Sequence, residues 1–278
     1  MIKSDGGTHR RSPVRFAERW RSNAQAMDTR KNEQRQDIDS ILEGWPYDPD
    51  AVSVRMVEGS DGRSLIQMRI EMGLLQLETT DRPDGERPNG VPTYCDLLAQ
   101  RSRENGDGYL FSEDECVEAD REFVQFYHRR ICWLAMREFR KAVRDADHTL
   151  KLMDLCRTHS PDEEWTISHE QYRPFVLFHR IQADALAALD QSGPAEAVNA
   201  VTHGLDQMRK IFLEFDPNAD LDDNELIERL AEFRETLREK FEVGKTLNEQ
   251  LDEAVKAEEY ERAAHLRDLI RQEKGRHI

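Results

Sequence analysis

Apolar and polar residues alternate over 52–79, then recur at intervals of three and four from about Thr93 to the end of the chain. Alternation predicts strands, because successive strand side chains point to opposite faces. The longer interval predicts helices with one apolar stripe each. In the strand region Val52, Val54 and Met56 form one run, and Ile66, Met68, Ile70 and Met72 form another. Asp61-Gly62 between them is a hairpin signal. Gly73 breaks the second run, and Leu75 and Leu77 resume it out of phase, which predicts a bulge or bend at the glycine. The expected product is a small antiparallel meander with one apolar face. The Pro- and Gly-rich stretch Asp81–Gly90 then reads as consecutive turns.

Before the meander, Ile38, Ile41 and Leu42 sit at helical spacing and Gly44 and Pro46 follow. They predict one short helix docked on the sheet. After it, helices are expected around Tyr94–Leu98 and over Glu113–Met136, Glu138–Cys156, Tyr172–Leu189 and Ala195–Phe215. The second carries Phe123, Phe126, Tyr127, Ile131 and Leu134 inward. Leu226, Leu230, Phe233 and Leu237 keep a 4-3-4 spacing that Leu247, Leu251 and Ala254 resume after Lys240 and Gly244. That pattern predicts a coiled-coil-like seam on a long helix. A short turn at Ala257-Glu258 leads to a last helix. The fold class is α+β, mostly α. It divides into a basic arm over 1–38, a short helix with the meander over 39–92, a helical domain over 93–220, and a long helix with a terminal hairpin over 221–278.

Composition narrows the function. The chain has 278 residues, a formal net charge of −16 and 35% charged residues. Such a chain repels nucleic-acid phosphates unless its positive charge is segregated, so protein partners are expected and direct nucleic-acid binding is not. Positive charge does gather in the polar N-terminal stretch, at Lys3, Arg10, Arg11, Arg15, Arg19 and Arg21. Its poverty in apolar residues predicts disorder. Met27 offers a second start, after which folded-looking sequence soon begins. No apolar run approaches the roughly 18–20 residues that cross a bilayer, and no apolar signal-peptide core is present. A cytoplasmic protein with no membrane contact is expected. Cys95, Cys116, Cys132 and Cys156 are scattered and form no C-x-x-C, which predicts reduced, buried thiols rather than a zinc site.

Catalytic motifs are absent: there is no nucleophile elbow, phosphate-binding loop, zinc-protease helix or dinucleotide fingerprint. The expectation is a protein that is not an enzyme and carries no cofactor. A small-molecule site near the Asp81–Gly90 loop is the weakest of the alternatives.

Two stretches resemble known families. Trp133, Phe139, Ala142, Ala146 and Leu150, and then Ala185, Ala188, Pro194, Ala197, Val201, Gly204 and Leu205, fall where tetratricopeptide repeats place their packing residues. Two departures count against kinship: Arg130 replaces a small residue, and Ala142 and Ala197 lie farther apart than the roughly 34 residues of tandem repeats. A plain helical bundle with alanines at close contacts accounts for the same pattern.

The other stretch is denser. Glu259-Tyr260-Glu261 is followed by Ala263-Ala264 and by Leu266-Arg267-Asp268 with Ile270 beyond. With Leu247, Leu251 and Ala254 ahead of it, this resembles the UVR motif over about 244–273. The motif occurs in the excision-repair subunits UvrB and UvrC, in the kinase activator McsA and in ClpC-type chaperones. The resemblance implies a two-helix hairpin that binds a like hairpin. Its partner-binding set is then Leu247, Leu251, Ala254, Tyr260, Ala263, Ala264, Leu266, Arg267, Asp268 and Ile270. Leu247, Leu251 and Ala254 would face a stripe of Tyr260, Ala263, Ala264 and Ile270. So small a hairpin needs a partner to complete its core. The expected function is an adaptor that binds a repair nuclease subunit or a Clp-type chaperone. The alternative is a homo-oligomer joined through its C-terminal helices.

Overall fold

The computed structural model describes residues 37–276 apart from Asp107 and Asp222. Met27 and nearly all of the basic arm lie outside the described residues. The chain divides into two units, 1–46 and 47–278. In the first, α1 (Asp39–Leu42) is a single turn, and Gly44 follows it at a φ of +73°.

The second unit begins with three antiparallel strands, β1 (Val54–Glu58), β2 (Ser64–Ile70) and β3 (Gly73–Glu78), in that order across the sheet. The register pairs Met56 with Ile66 and Ile66 with Leu77. Gly62, at a φ of +81°, makes the first reversal, as Asp61-Gly62 predicted. The bulge expected at Gly73 does not form. Ile70 pairs with Gly73, so Glu71 and Met72 are a two-residue turn, and Met72 is 91% exposed at its tip. The phase change in the sequence marks the chain reversing, not a strand bending.

Helices follow: α2 (Tyr94–Asn105), α3 (Glu113–Ala135), α4 (Phe139–His159), α5 (Glu163–Glu170), α6 (Arg173–Ser192), α7 (Pro194–Phe215) and α8 (Glu225–Phe241). The fold is α+β and mostly α. Ile66 and Leu77 of the sheet share a core with Trp133 of α3, Phe139 and Ala142 of α4, and Ala183 and Ala187 of α6. A second core joins α6, α7 and α8 through Ile181, Val201, Leu205, Met208 and Leu230. Gly204 sits where α7 meets α6, and a Cβ there would press into Ile181.

Two expectations are corrected, and one helix is added to them. The inward face of α3 is rotated from the predicted stripe. Phe126 is buried, but so are Glu122, Arg129 and Arg130, while Tyr127 is 39% exposed. Charge is tolerated inside because most of it is paired. Arg129 meets Asp145 of α4 through Nε at 2.7 Å and Nη2 at 3.0 Å. Glu122 accepts the Tyr94 and Cys95 amides at the start of α2, at 2.6 and 2.9 Å. Next, the long C-terminal helix is broken. α8 ends as Glu242 turns left-handed at a φ of +54°. Leu230 and Leu237 are buried in the core of α6 and α7, with Leu226 and Phe233 packed at its edge. The seam thus completes a three-helix layer of one chain and is no coiled coil. Lastly, α5 went unpredicted, because its eight residues carry no apolar stripe. Asp162 caps it, and Trp165 Nε1 donates to Asp120 of α3 at 2.9 Å.

The four cysteines are free and buried, as expected. Burial pushes their thiols up, those of Cys95 and Cys132 to about 12.

Candidate partner-binding hairpin

Beyond Glu242 the chain forms two helices, α9 (Leu247–Lys256) and α10 (Tyr260–Arg276). Thr246 starts α9 with a capping box: its hydroxyl accepts the Glu249 amide at 3.3 Å, and Glu249 accepts the Thr246 amide at 2.9 Å. Glu249 also pairs with Arg238 of α8, which ties the hairpin to the bundle. Lys245 reaches Glu253 at 2.7 Å.

Ala257, Glu258 and Glu259 connect the helices. Glu258 is left-handed at a φ of +59°, the Glu259 amide donates to Ala254 O at 2.8 Å, and the Glu258 amide donates to Val255 O at 3.1 Å. This is a Schellman closure with glutamate where glycine is usual. It folds α10 back onto α9, as the predicted short turn required.

The predicted site residues separate into two groups. Ala254, Ala263 and Leu266 are buried together, with Leu247 and Leu251 packed against them. Ile270 is half-buried. Tyr260, at 70% exposure, Ala264, Arg267 and Asp268 face outward. The inward stripe is therefore 263–266–270, not 260–263–264–270. At about 100° per residue, Tyr260, Ala264, Arg267 and Asp268 fall within one arc of about 100° beside it. Among the described residues Arg267 has no ion-pair partner.

A comparison inside the chain gives this exposed arc meaning. The turn from α3 to α4 is the same closure: Arg137 is left-handed at a φ of +60°, and the Glu138 amide donates to Trp133 O at 2.9 Å. Phe139 follows that turn as Tyr260 follows the other. Ala142 then corresponds to Ala263, and both are buried. Ala146 corresponds to Arg267. On α4 the Phe139–Ala146 face is covered by α6: Phe139 packs with Ala183 and Ala187, and Ala146 with Val176. On α10 the corresponding Tyr260–Arg267 face is bare among the described residues.

No three His, Cys, Asp or Glu side chains gather as a metal site among the described residues, and no helix there is long and apolar enough to cross a membrane. No curated protein and no solved structure matches the chain. The helices of 113–215 keep only their resemblance to tetratricopeptide repeats; the 55-residue step from Ala142 to Ala197 spans long helices and the inserted α5. Residues 243–274, the hairpin just described, match the family model of the UvrB/uvrC motif, known for protein or DNA interactions in repair, and the chain thus ends in a UVR motif.

Proposed function

We propose that this protein is an adaptor, not an enzyme, whose UVR hairpin docks a partner protein across the Tyr260, Ala264, Arg267 and Asp268 face. The observation that carries this reading is the bare face of α10, which repeats a face that α6 covers on α4. An aromatic at 70% exposure beside a small residue is the composition of an interface anchor. Leu247, Leu251, Ala254, Ala263, Leu266 and Ile270 hold the hairpin together and present that face. The partner is a protein with a like hairpin, such as a repair nuclease subunit, or a Clp-type chaperone.

A second copy of the chain is the second reading. Arg267 and Asp268 lie at the two edges of the bare face, so a two-fold axis can set each against the other. Sedimentation of the full chain over a range of concentrations separates the two readings. Titration of the full chain into a UVR-bearing partner then tests the first. Tyr260→Ala should weaken binding tenfold or more, about 1.4 kcal/mol, with the melting temperature unchanged. Arg267→Glu should weaken it in a salt-dependent way. Unchanged affinity for Tyr260→Ala, together with a lower melting temperature, would make the residue structural and remove the proposal.

A further inference from the structure

The second unit has a half-open cavity of about 700 Å³ among α3, α4, α5 and the start of α6. Phe123, Tyr127, Met153, Phe175 and Val176 make its wall apolar and aromatic, and Arg130 lies in that wall. Its size is within the range of small-molecule sites, about 300–1,000 Å³.

Arg130 sets this space apart from a packing defect. Among the described residues four arginines of the second unit are buried: Arg82, Arg129, Arg130 and Arg173. Arg82 reaches Glu118 at 2.9 Å, Arg129 reaches Asp145 at 2.7 Å, and Arg173 reaches Glu170 at 2.6 Å. Arg130, only 2% exposed, has no carboxylate partner among the described residues. Its Nη1 donates to Thr149 Oγ1 at 3.1 Å, and its Nε has no partner. The Thr149 hydroxyl donates to Asp145 O at 2.9 Å, so its acceptor side is what serves Arg130.

The carboxylate whose charge reaches Arg130 is Asp145, but its oxygens are bonded to Arg129, Trp133 and Arg144 and not to Arg130. His169 Nε2 and Asp120 lie 2.9 Å apart at the rim and satisfy each other. His179 is held neutral, since burial and the charges of Arg130 and Arg229 push it down to about 4. Burial also lowers Arg130, to about 10, still protonated at neutral pH. A buried cation with no carboxylate of its own is under-compensated, and an anion in the cavity would offset that cost.

We propose that this cavity binds a small amphipathic organic acid, its carboxylate on Arg130 and its apolar body against Phe123, Tyr127 and Phe175. A guanidinium N–H to a carboxylate is a charge-assisted hydrogen bond, stronger than one to a neutral acceptor. The aromatic wall selects the body. The site is independent of the UVR hairpin.

The test uses the full chain with 4-phenylbutyrate and octanoate, each beside the uncharged alcohol of the same shape, followed by calorimetry. The acids should bind at least tenfold more tightly than the alcohols. Arg130→Met should bring the acids to the level of the alcohols. Val124→Trp, at a rim position 54% exposed, should exclude both. Melting curves check that each variant folds. If Arg130→Met does not fold, the acid–alcohol difference and Val124→Trp decide. No saturable binding, equal affinity for acid and alcohol, or an unchanged Arg130→Met would overturn the proposal. So would binding only of a peptide ending in a free phenylalanine carboxylate, which would assign the cavity to a polypeptide.

Discussion

Arg129 of α3 and Asp145 of α4 face each other through two hydrogen bonds, 2.7 and 3.0 Å long, and neither side chain is more than 1% exposed. The remaining donor of Arg129, Nη1, reaches the carbonyls of Glu78, Thr80 and Asp81 at 3.1, 3.2 and 2.8 Å, where the sheet ends. Asp145 also accepts from Trp133 Nε1 at 3.0 Å. One ion pair therefore fastens sheet, α3 and α4 together. Asp145→Ala should cost about 3–5 kcal/mol in urea unfolding, because it strands a buried guanidinium. Replacing both residues, as Arg129→Met with Asp145→Leu, should cost less than the sum of the single changes. A loss below about 1 kcal/mol for Asp145→Ala would show that water reaches Arg129.

Gly204 and Ile181 fix how closely α7 approaches α6. A Cβ on Gly204 would lie 2.6 Å from Ile181 Cγ1, which no packed core accepts without movement. Gly204→Ala should destabilise by about 1–3 kcal/mol despite alanine's better helix propensity. In an Ile181→Ala background the sign should reverse, since the space is then free. Thermal melts of the four proteins check this, and additive losses would mean the two residues do not share the contact.

His179 predicts a pH dependence. Its folded-state value is pushed down to about 4, first by burial and then by Arg130 and Arg229. The unfolded chain binds this proton near 6.5. Between those values the unfolded state holds more protons, so stability rises with pH, is complete above about 6.5, and is lost as pH falls towards 4. The loss amounts to about 3 kcal/mol at most, at 1.36 kcal/mol per unit. His179→Gln should flatten the stability profile from pH 6.5 to 5, measured against wild type by urea unfolding. Parallel profiles would place the acid sensitivity elsewhere.

Glu258 carries the left-handed turn of the UVR hairpin at a φ of +59°. A non-glycine residue is strained there by about 1–2 kcal/mol, which glycine avoids at some entropic cost. Glu258→Gly should slow amide hydrogen exchange in α9 and α10 by up to about fivefold, near 1 kcal/mol of local stability. Glu258→Val should speed exchange. Exchange unchanged in both variants would show that the closure does not limit opening of the hairpin.

Much of this was legible in the chain itself. Alternation located the strands, Asp61-Gly62 located the first reversal, and three- and four-residue spacing located the long helices, because each follows from local geometry. The UVR stretch was legible for the same reason: a turn and two short apolar stripes lie within thirty-odd contiguous residues. Buried charge was not. Glu122, Arg129 and Asp145 find their partners only once α2, α3 and α4 are laid together, because those partners are distant in sequence. The reversal at Glu71-Met72 was hidden too, since either a bulge or a turn shifts the phase, and only strand pairing separates them.

The sequence by itself determined the kinds of element, their order and the motif at the end, all of which rest on neighbours along the chain. Tertiary structure decided which side of each helix meets another. It turned Leu230 into the core, Tyr260 out to solvent, and Arg130 into a cavity wall with no carboxylate paired directly to it. Those outcomes depend on what lies across the fold, and a residue's neighbours in space are not written in its spacing along the chain.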